Sequence, residues 1–233
     1  MDILVINPNS TAAMTRSIGA AARRVAAPGT TITAVNPEGG PAAIQGPEDG
    51  AAALPGLFAL FDREVLQGGG YDGVIIACFD DTGLRALKRR SPVPVLGIGE
   101  AAFHAALLVS ERFSVVTTLA VSVPVIEQNL TLYGLAGRCA SVRASGVPVL
   151  DLEQAPQAAS EEIAAEIERA VAEDGCDAVV LGCAGMADLA EDMTERFGLP
   201  VIDGVAAAIV FCEALGHAGI GNSRALKPAA VVP

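Results

Sequence analysis

Two cysteines, Cys78 and Cys183, close a matched pair of apolar runs: Asp72-Gly-Val-Ile-Ile-Ala-Cys78 and Asp177-Ala-Val-Val-Leu-Gly-Cys183. A thiol tuned toward neutral pH can either take or give a proton, and two thiols facing one cleft can act on one carbon from opposite sides. Such a pair suits the inversion of a carbon bearing an acidic hydrogen. One thiolate removes the proton from its face, and the opposite thiol supplies another. Backbone amides at two helix N-termini could stabilise an adjacent carbonyl as it becomes an enolate. No metal is needed for this chemistry.

The elements that must position the thiols follow from the runs themselves. Each is short, rich in Val, Ile and Leu, and flanked by helical pattern, as suits a strand buried on both faces of a parallel sheet. Each cysteine then sits at a strand's carboxyl end, where open α/β sheets hold ligands. The helix that follows turns its N-terminal amides toward the thiol, so a lowered thiol pKa is expected. The match continues past the cysteines. Leu84 and Leu189 keep the spacing of Asp72 and Asp177, and Val93-Pro-Val-Leu96 answers Leu199-Pro-Val-Ile202. A coarser echo pairs Ile3-Leu-Val-Ile6 with Ser114-Val-Val-Thr117. A period this long means two copies of a domain, because solenoid repeats are far shorter.

Strand and helix patterns alternate throughout. Strands are predicted at 2–6, 31–35, 73–77 and 93–97, with helices at 11–26, 50–66, 82–90 and 100–111. The second copy has strands at 113–117, 140–144, 178–182 and 200–202, with helices at 122–134, 157–174, 187–197 and 205–217. This alternation predicts an α/β fold with one parallel sheet per half and helices on both faces. The first half spans 1–97 and the second 98–204; the helix at 205–217 packs back on the first, and 218–233 is a loose tail. Asn9-Ser-Thr11, Asp80-Asp81 and Ser160-Glu-Glu supply capping chemistry for their following helices.

Composition narrows the classes. Apolar residues make up 52% of 233 residues, yet no run is long enough to span a bilayer. The acidic start Met1-Asp2 lacks the basic residues of a secretory signal, so a cytoplasmic protein is expected. A net charge of −12 makes nucleic acid and anionic membrane poor partners. Five cysteines without a Cys-x-x-Cys pair argue against disulfides and structural zinc. Two histidines, His104 and His217, leave little for a metal site, and a pyridoxal-phosphate enzyme would depend on Lys88 or Lys227. The Gly68-Gly-Gly70 triplet precedes a strand, whereas a phosphate cradle follows one. Cys139, Cys176 and Cys212 read as small apolar fillers, since neither Cys176 nor Cys212 ends a strand.

Five segments carry a resemblance: Ile6-Asn-Pro-Asn-Ser-Thr11, Ala77-Cys-Phe-Asp-Asp81, Ser114-Val-Val-Thr-Thr118, Leu181-Gly-Cys-Ala-Gly-Met186 and Pro200-Val-Ile-Asp-Gly204. Together they resemble the hydantoin racemase branch of the aspartate/glutamate racemase superfamily, over residues 2 to about 217. The resemblance implies two pseudo-symmetric Rossmann-like α/β domains with the active site in the cleft between them. It also implies no cofactor, a small cyclic ureide as substrate, a homo-oligomer, and Cys78 and Cys183 as the acid/base thiols. Asn7 is similar to the family's substrate-binding asparagine, although it also suits a turn before Pro8. Thr117 and Thr118 are its mates in the second copy and could donate hydroxyls to a ring carbonyl, or form a turn that starts a helix. Phe79 could wall the pocket or pack in the core. Asp80 and Ala184 border the two cysteines, and Gly182 and Gly185 would allow close backbone approach to the substrate.

One departure concerns the loop after the second strand, where relatives often carry an acidic residue, Gly and then a bulky or His residue. Here it reads Ile44-Gln-Gly-Pro47, and Ile44 would border the pocket and bear on which 5-substituent fits. The reading is a cofactor-independent racemase of 5-monosubstituted hydantoins acting by two-base proton transfer. Its rivals are an allantoin racemase, a decarboxylase or maleate-type isomerase on the same fold, and a non-catalytic small-molecule binding protein.

Overall fold

The structure, a computed structural model, describes residues 1–222, so most of the tail expected over 218–233 lies outside the described residues. Strands β1 (Asp2–Ile6), β2 (Thr31–Val35), β3 (Gly73–Ile76) and β4 (Val95–Gly97) form an all-parallel sheet in the order β2-β1-β3-β4. Strands β5 (Phe113–Thr117), β6 (Cys139–Ala144), β7 (Ala178–Gly182) and β8 (Val201–Asp203) repeat the pattern as β6-β5-β7-β8. The central strands β3, β5 and β7 are buried along their whole length, which is why β3 and β7 read as unbroken apolar runs. Edge strand β6 is only half-buried and tolerates Arg143.

In each sheet the strand order reverses direction between its two central strands, β1 and β3 in one, β5 and β7 in the other. The crevice beyond the carboxyl ends at such a reversal is where open α/β sheets bind ligands. Cys78 and Cys183 follow β3 and β7 at these two points.

Helices α1 (Ala12–Val25), α2 (Pro47–Phe61) and α3 (Leu84–Arg90) flank the first sheet. Helices α5 (Val123–Leu132), α6 (Asp151–Gln154), α7 (Pro156–Glu173) and α8 (Ala190–Phe197) flank the second. The helices that close each copy, α4 (Ile98–Val109) and α9 (Gly204–His217), pack on each other. Helix α4 reaches across to β7 and β8, and α9 returns to β3 and α1. Their starts meet at Gly204, where a Cβ would lie 2.5 Å from the Ile98 carbonyl oxygen. One apolar cluster therefore runs through both halves, from Ile3 and Ile75 through Phe103 to Val115 and Val180. Among the described residues, no helix is long and apolar enough to cross a membrane.

The element order follows the sequence reading, while several boundaries differ for local reasons. Helix α2 begins at Pro47, because proline suits the first helical turn, and continues through a π-helical turn to Gly68. Helix α3 begins at Leu84, and its cap is Gly83 in the left-handed region (φ 73°), so Asp80 and Asp81 do not cap it. Ser160 lies inside α7, which starts at Pro156. A 3-10 turn at Ala184–Leu189 precedes α8, and the short α6 was not predicted.

Candidate active site

Parallel register brings the site together. Ile6 pairs with Ile76 and Thr117 with Gly182, so Asn7 lies beside the start of the Cys78 loop and Thr118 beside Cys183. Both cysteines are free thiols, and both line one small cavity of about 30 Å³, room for one or two water molecules. Of the residues singled out in the sequence, Asn7, Ile44, Phe79, Asp80, Thr117, Thr118, Gly182 and Ala184 share that wall. Gly185 does not. The sequence reading missed Asn9, Met14, Ser122 and Val149, which also face the cavity. Asn9 lies inside the Ile6–Thr11 motif and was legible there; Met14 and Val149 look like ordinary core residues.

The thiols are not acidified, contrary to the sequence expectation. Burial pushes the Cys78 thiol well above its ordinary value, and the charges of Asp80 and Cys183 push the same way. The Thr82 hydroxyl, 3.4 Å from the sulfur, and the Asp80 amide oppose this without overcoming it. Cys183 is pushed up to about 11, again chiefly by burial, with the Gly185 amide opposing and the Asp80 charge adding. Taking a thiolate out of water outweighs one or two hydrogen bonds to it. The stabilising amides also come from tight turns two residues past each cysteine, not from the starts of α3 and α8 as expected. The two halves match in this detail: Asp80 N–H faces Cys78 as Gly185 N–H faces Cys183.

The neighbouring side chains divide by what they already bond. Asn7 Nδ2 donates to Asn9 Oδ1 at 2.8 Å and to Thr15 Oγ1 at 3.0 Å, so Asn7 both forms the turn and walls the cavity. Thr117 donates its hydroxyl to the Gly182 carbonyl at 3.0 Å and is committed to the strand end. Phe79 faces the cavity while its ring packs edge-on against Phe103 at 5.3 Å. Both glycines sit where a Cβ would be crowded, and Gly182 also borders the cavity. A Cβ on Gly182 would lie 2.8 Å from Thr117 Cα, and one on Gly185 would lie 2.8 Å from Leu152 Cδ1. In the loop after β2, Gln45 Oε1 accepts from Val149 N–H at 2.9 Å, so this loop links the two halves beside Ile44.

The Cys78 loop is held from several sides. Asp81 has a positive φ of 50°, and its carboxylate accepts from Gly99 N–H at 3.2 Å and Glu100 N–H at 2.8 Å at the start of α4. Tyr133 donates to the same carboxylate at 2.7 Å, and Asn129 Nδ2 donates to the Asp80 carbonyl at 2.9 Å. Burial raises the Asp80 carboxyl to about 7. Among the described residues no cluster of three or more His, Cys, Asp or Glu could hold a metal ion. A larger groove between β4, α4 and α9 carries the Lys88–Glu100 ion pair, and neither cysteine of the matched pair lines it.

Comparison with known proteins identifies the family. The family model described as Asp/Glu/Hydantoin racemase matches residues 3–212. A hydantoin racemase from Rhizobium meliloti is 47% identical over 226 residues, covering 96% of this chain and 92% of its own length. The structure of an allantoin racemase from Klebsiella pneumoniae superposes with a TM-score of 0.92 at 45% identity, covering 96% of this chain and 90% of that one. An allantoin racemase structure from Pseudomonas fluorescens gives a TM-score of 0.92 at 42% identity, with both chains fully covered.

Proposed function

The chain belongs to the Asp/Glu/hydantoin racemase family, and we propose that it racemises neutral cyclic ureides, 5-monosubstituted hydantoins first, by proton transfer between Cys78 and Cys183. One observation carries this reading: both thiols line a single cavity whose wall, among the described residues, contains no Lys, Arg or His. A free amino acid would bring a carboxylate into that cavity with no cation to pair it and with Asp80 nearby. Burying an unpaired charge is costly. A neutral ring has no such cost.

The steps balance without a co-reactant. One cysteine, as thiolate, takes the hydrogen from the ring's C5, and the electron pair passes to the adjacent carbonyl as an enolate. The other cysteine, as thiol, gives its proton to the opposite face of C5. The site ends with one thiolate and one thiol, roles exchanged, ready for the other enantiomer. The Asp80 and Gly185 amides support whichever sulfur is charged. A ring larger than the present cavity must displace its walls on entry, which makes closure over the substrate part of the cycle.

A second reading, racemisation of allantoin, is favoured by the two structural relatives at 45% and 42% identity. Allantoin is also a neutral cyclic ureide, so the same cavity argument applies. Circular dichroism of single enantiomers decides: loss of signal from 5-benzylhydantoin faster than from allantoin is expected, with aspartate and glutamate unchanged. Faster turnover of free aspartate or glutamate would overturn the proposal.

A further inference from the structure

Several polar side chains on the cavity wall have their bonding set by the protein. Asn7 and Asn9 bond each other, Asn9 Nδ2 also reaches Met14 Sδ, and Thr117 bonds Gly182. Asp80 differs. Its Oδ2 is buried and has no hydrogen-bond partner among the described residues. A carboxyl oxygen withdrawn from water and left unbonded costs stability, and such orphans in folded proteins call for an explanation. The loop that carries this carboxyl is firmly placed. Asn129 holds its carbonyl, and the next residue, Asp81, is anchored to Gly99, Glu100 and Tyr133. Asp80 lines the same small cavity as Cys78 and Cys183, in which a reacting carbon would lie, and its charge acts on both thiols. With no cation on the wall among the described residues, the group that best completes Oδ2 is a neutral N–H donor.

We propose that Asp80 is a specificity-determining residue whose Oδ2 accepts the ring N–H adjacent to the substrate's stereocentre. The inference rests on the racemase reading and names the feature by which that site selects its rings. In a hydantoin this is N1–H, one bond from C5; N3–H lies beyond the neighbouring carbonyl and is farther from the two sulfurs.

The test measures binding by calorimetry alongside turnover, with 5-benzylhydantoin and its N1-methyl derivative. The wild-type chain should bind the N1–H compound at least about tenfold more tightly, the range expected for one hydrogen bond to a buried carboxyl. Asp80→Ala should lose most of that preference, weakening the N1–H compound and leaving the N1-methyl compound nearly as before. Asp80→Asn, which keeps an amide oxygen as acceptor, should retain part of the preference. Equal binding of the two compounds by the wild type, or a preference unchanged in Asp80→Ala, would overturn the inference. If Asp80→Ala does not fold, the wild-type comparison alone decides. Discrimination without racemisation would sink the racemase reading while sustaining Asp80 as the N–H acceptor; racemisation without discrimination would do the reverse.

Discussion

Tyr133 donates a 2.7 Å hydrogen bond to Asp81, joining helix α5 of the second half to the loop that carries Cys78 in the first. Asn129, one turn earlier on α5, holds the Asp80 carbonyl in the same way. The relative placement of the halves therefore sets the position of the Cys78 loop. In Tyr133→Phe the ring keeps its packing on Phe103, 6.3 Å between centroids, while Asp81 loses a donor. Burial raises the Asp81 carboxyl to about 7, so at about pH 8 and above, where it is charged, stability should fall by about 1.5–3 kcal/mol, the range for a hydrogen bond to a charged group. In kinetics, kcat should fall more than KM rises, because the loop's alignment is disturbed and no substrate contact is removed. Chemical denaturation and steady-state racemisation check both; an unchanged kcat would dissociate the link from catalysis.

The pairing of α4 with α9 predicts a glycine that cannot be replaced. Gly204→Ala would force a Cβ to within 2.5 Å of the Ile98 carbonyl oxygen, a backbone atom with little room to move. Overpacking of this kind costs about 1–3 kcal/mol. Gly137→Ala, with nothing within 4 Å, should change the denaturation midpoint little. Equal midpoints for the two variants would show that the two helix starts do not rely on this close approach.

Much of this was legible because the strands that carry the chemistry are buried on both faces. Burial on both sides forces an unbroken apolar run, and the run's end marks the switch point at which Cys78 and Cys183 stand. What the sequence could not show depends on the opposite half. Thiol ionisation was expected to follow local amides; instead, burial of the sulfurs within the fold dominates. Asp81 reads as a cap for its own helix, yet its carboxylate turns to α4 and Tyr133, contacts far apart in sequence. Val149 and Ser122 reach the cavity from segments with no chemical signature of their own. The crowding of the glycines beside Cys183 by Thr117 and Leu152 is invisible in one dimension.

Raised thiol pKa values predict an alkaline activity profile. With Cys183 at about 11 and Cys78 higher still, only a small fraction of either is thiolate near neutrality. If thiolate is the proton acceptor, log(kcat/KM) should rise with a slope near one between about pH 7 and 9, after subtraction of the uncatalysed rate. As pH rises through about 7 Asp80 loses its proton and begins to oppose thiolate formation, so the slope should be shallower around that value and return toward one away from it. A plateau centred on neutral pH would mean that the thiols ionise far more readily than their burial allows.

Asp80 should also make stability depend on pH. Its folded value of about 7 lies above the ordinary 3.8, so the folded state holds the proton more tightly. The stabilisation is fully present below about pH 4 and is lost as pH rises through about 7. One pKa unit corresponds to about 1.4 kcal/mol, so the loss can reach about 4 kcal/mol, reduced where the carboxyl's other oxygen meets water. Asp80→Asn cannot titrate and should therefore gain on the wild type as pH rises from 4 to 8. Denaturant titrations at both pH values check this; a constant difference between the two proteins would contradict it.

The central claim is that Cys78 and Cys183 each serve one face of the same carbon, and exchange of the C5 hydrogen in deuterium oxide tests it most directly. Each enantiomer of a 5-substituted hydantoin is incubated separately with wild type, Cys78→Ser and Cys183→Ser, and both deuterium uptake and optical purity are followed. Wild type should exchange and invert both enantiomers. Each single variant should invert neither, yet should still exchange the one enantiomer whose hydrogen faces the remaining cysteine, and the favoured enantiomer should be opposite in the two variants. Racemisation at the wild-type rate by either variant, or the same enantiomer exchanged by both, would contradict the two-thiol account.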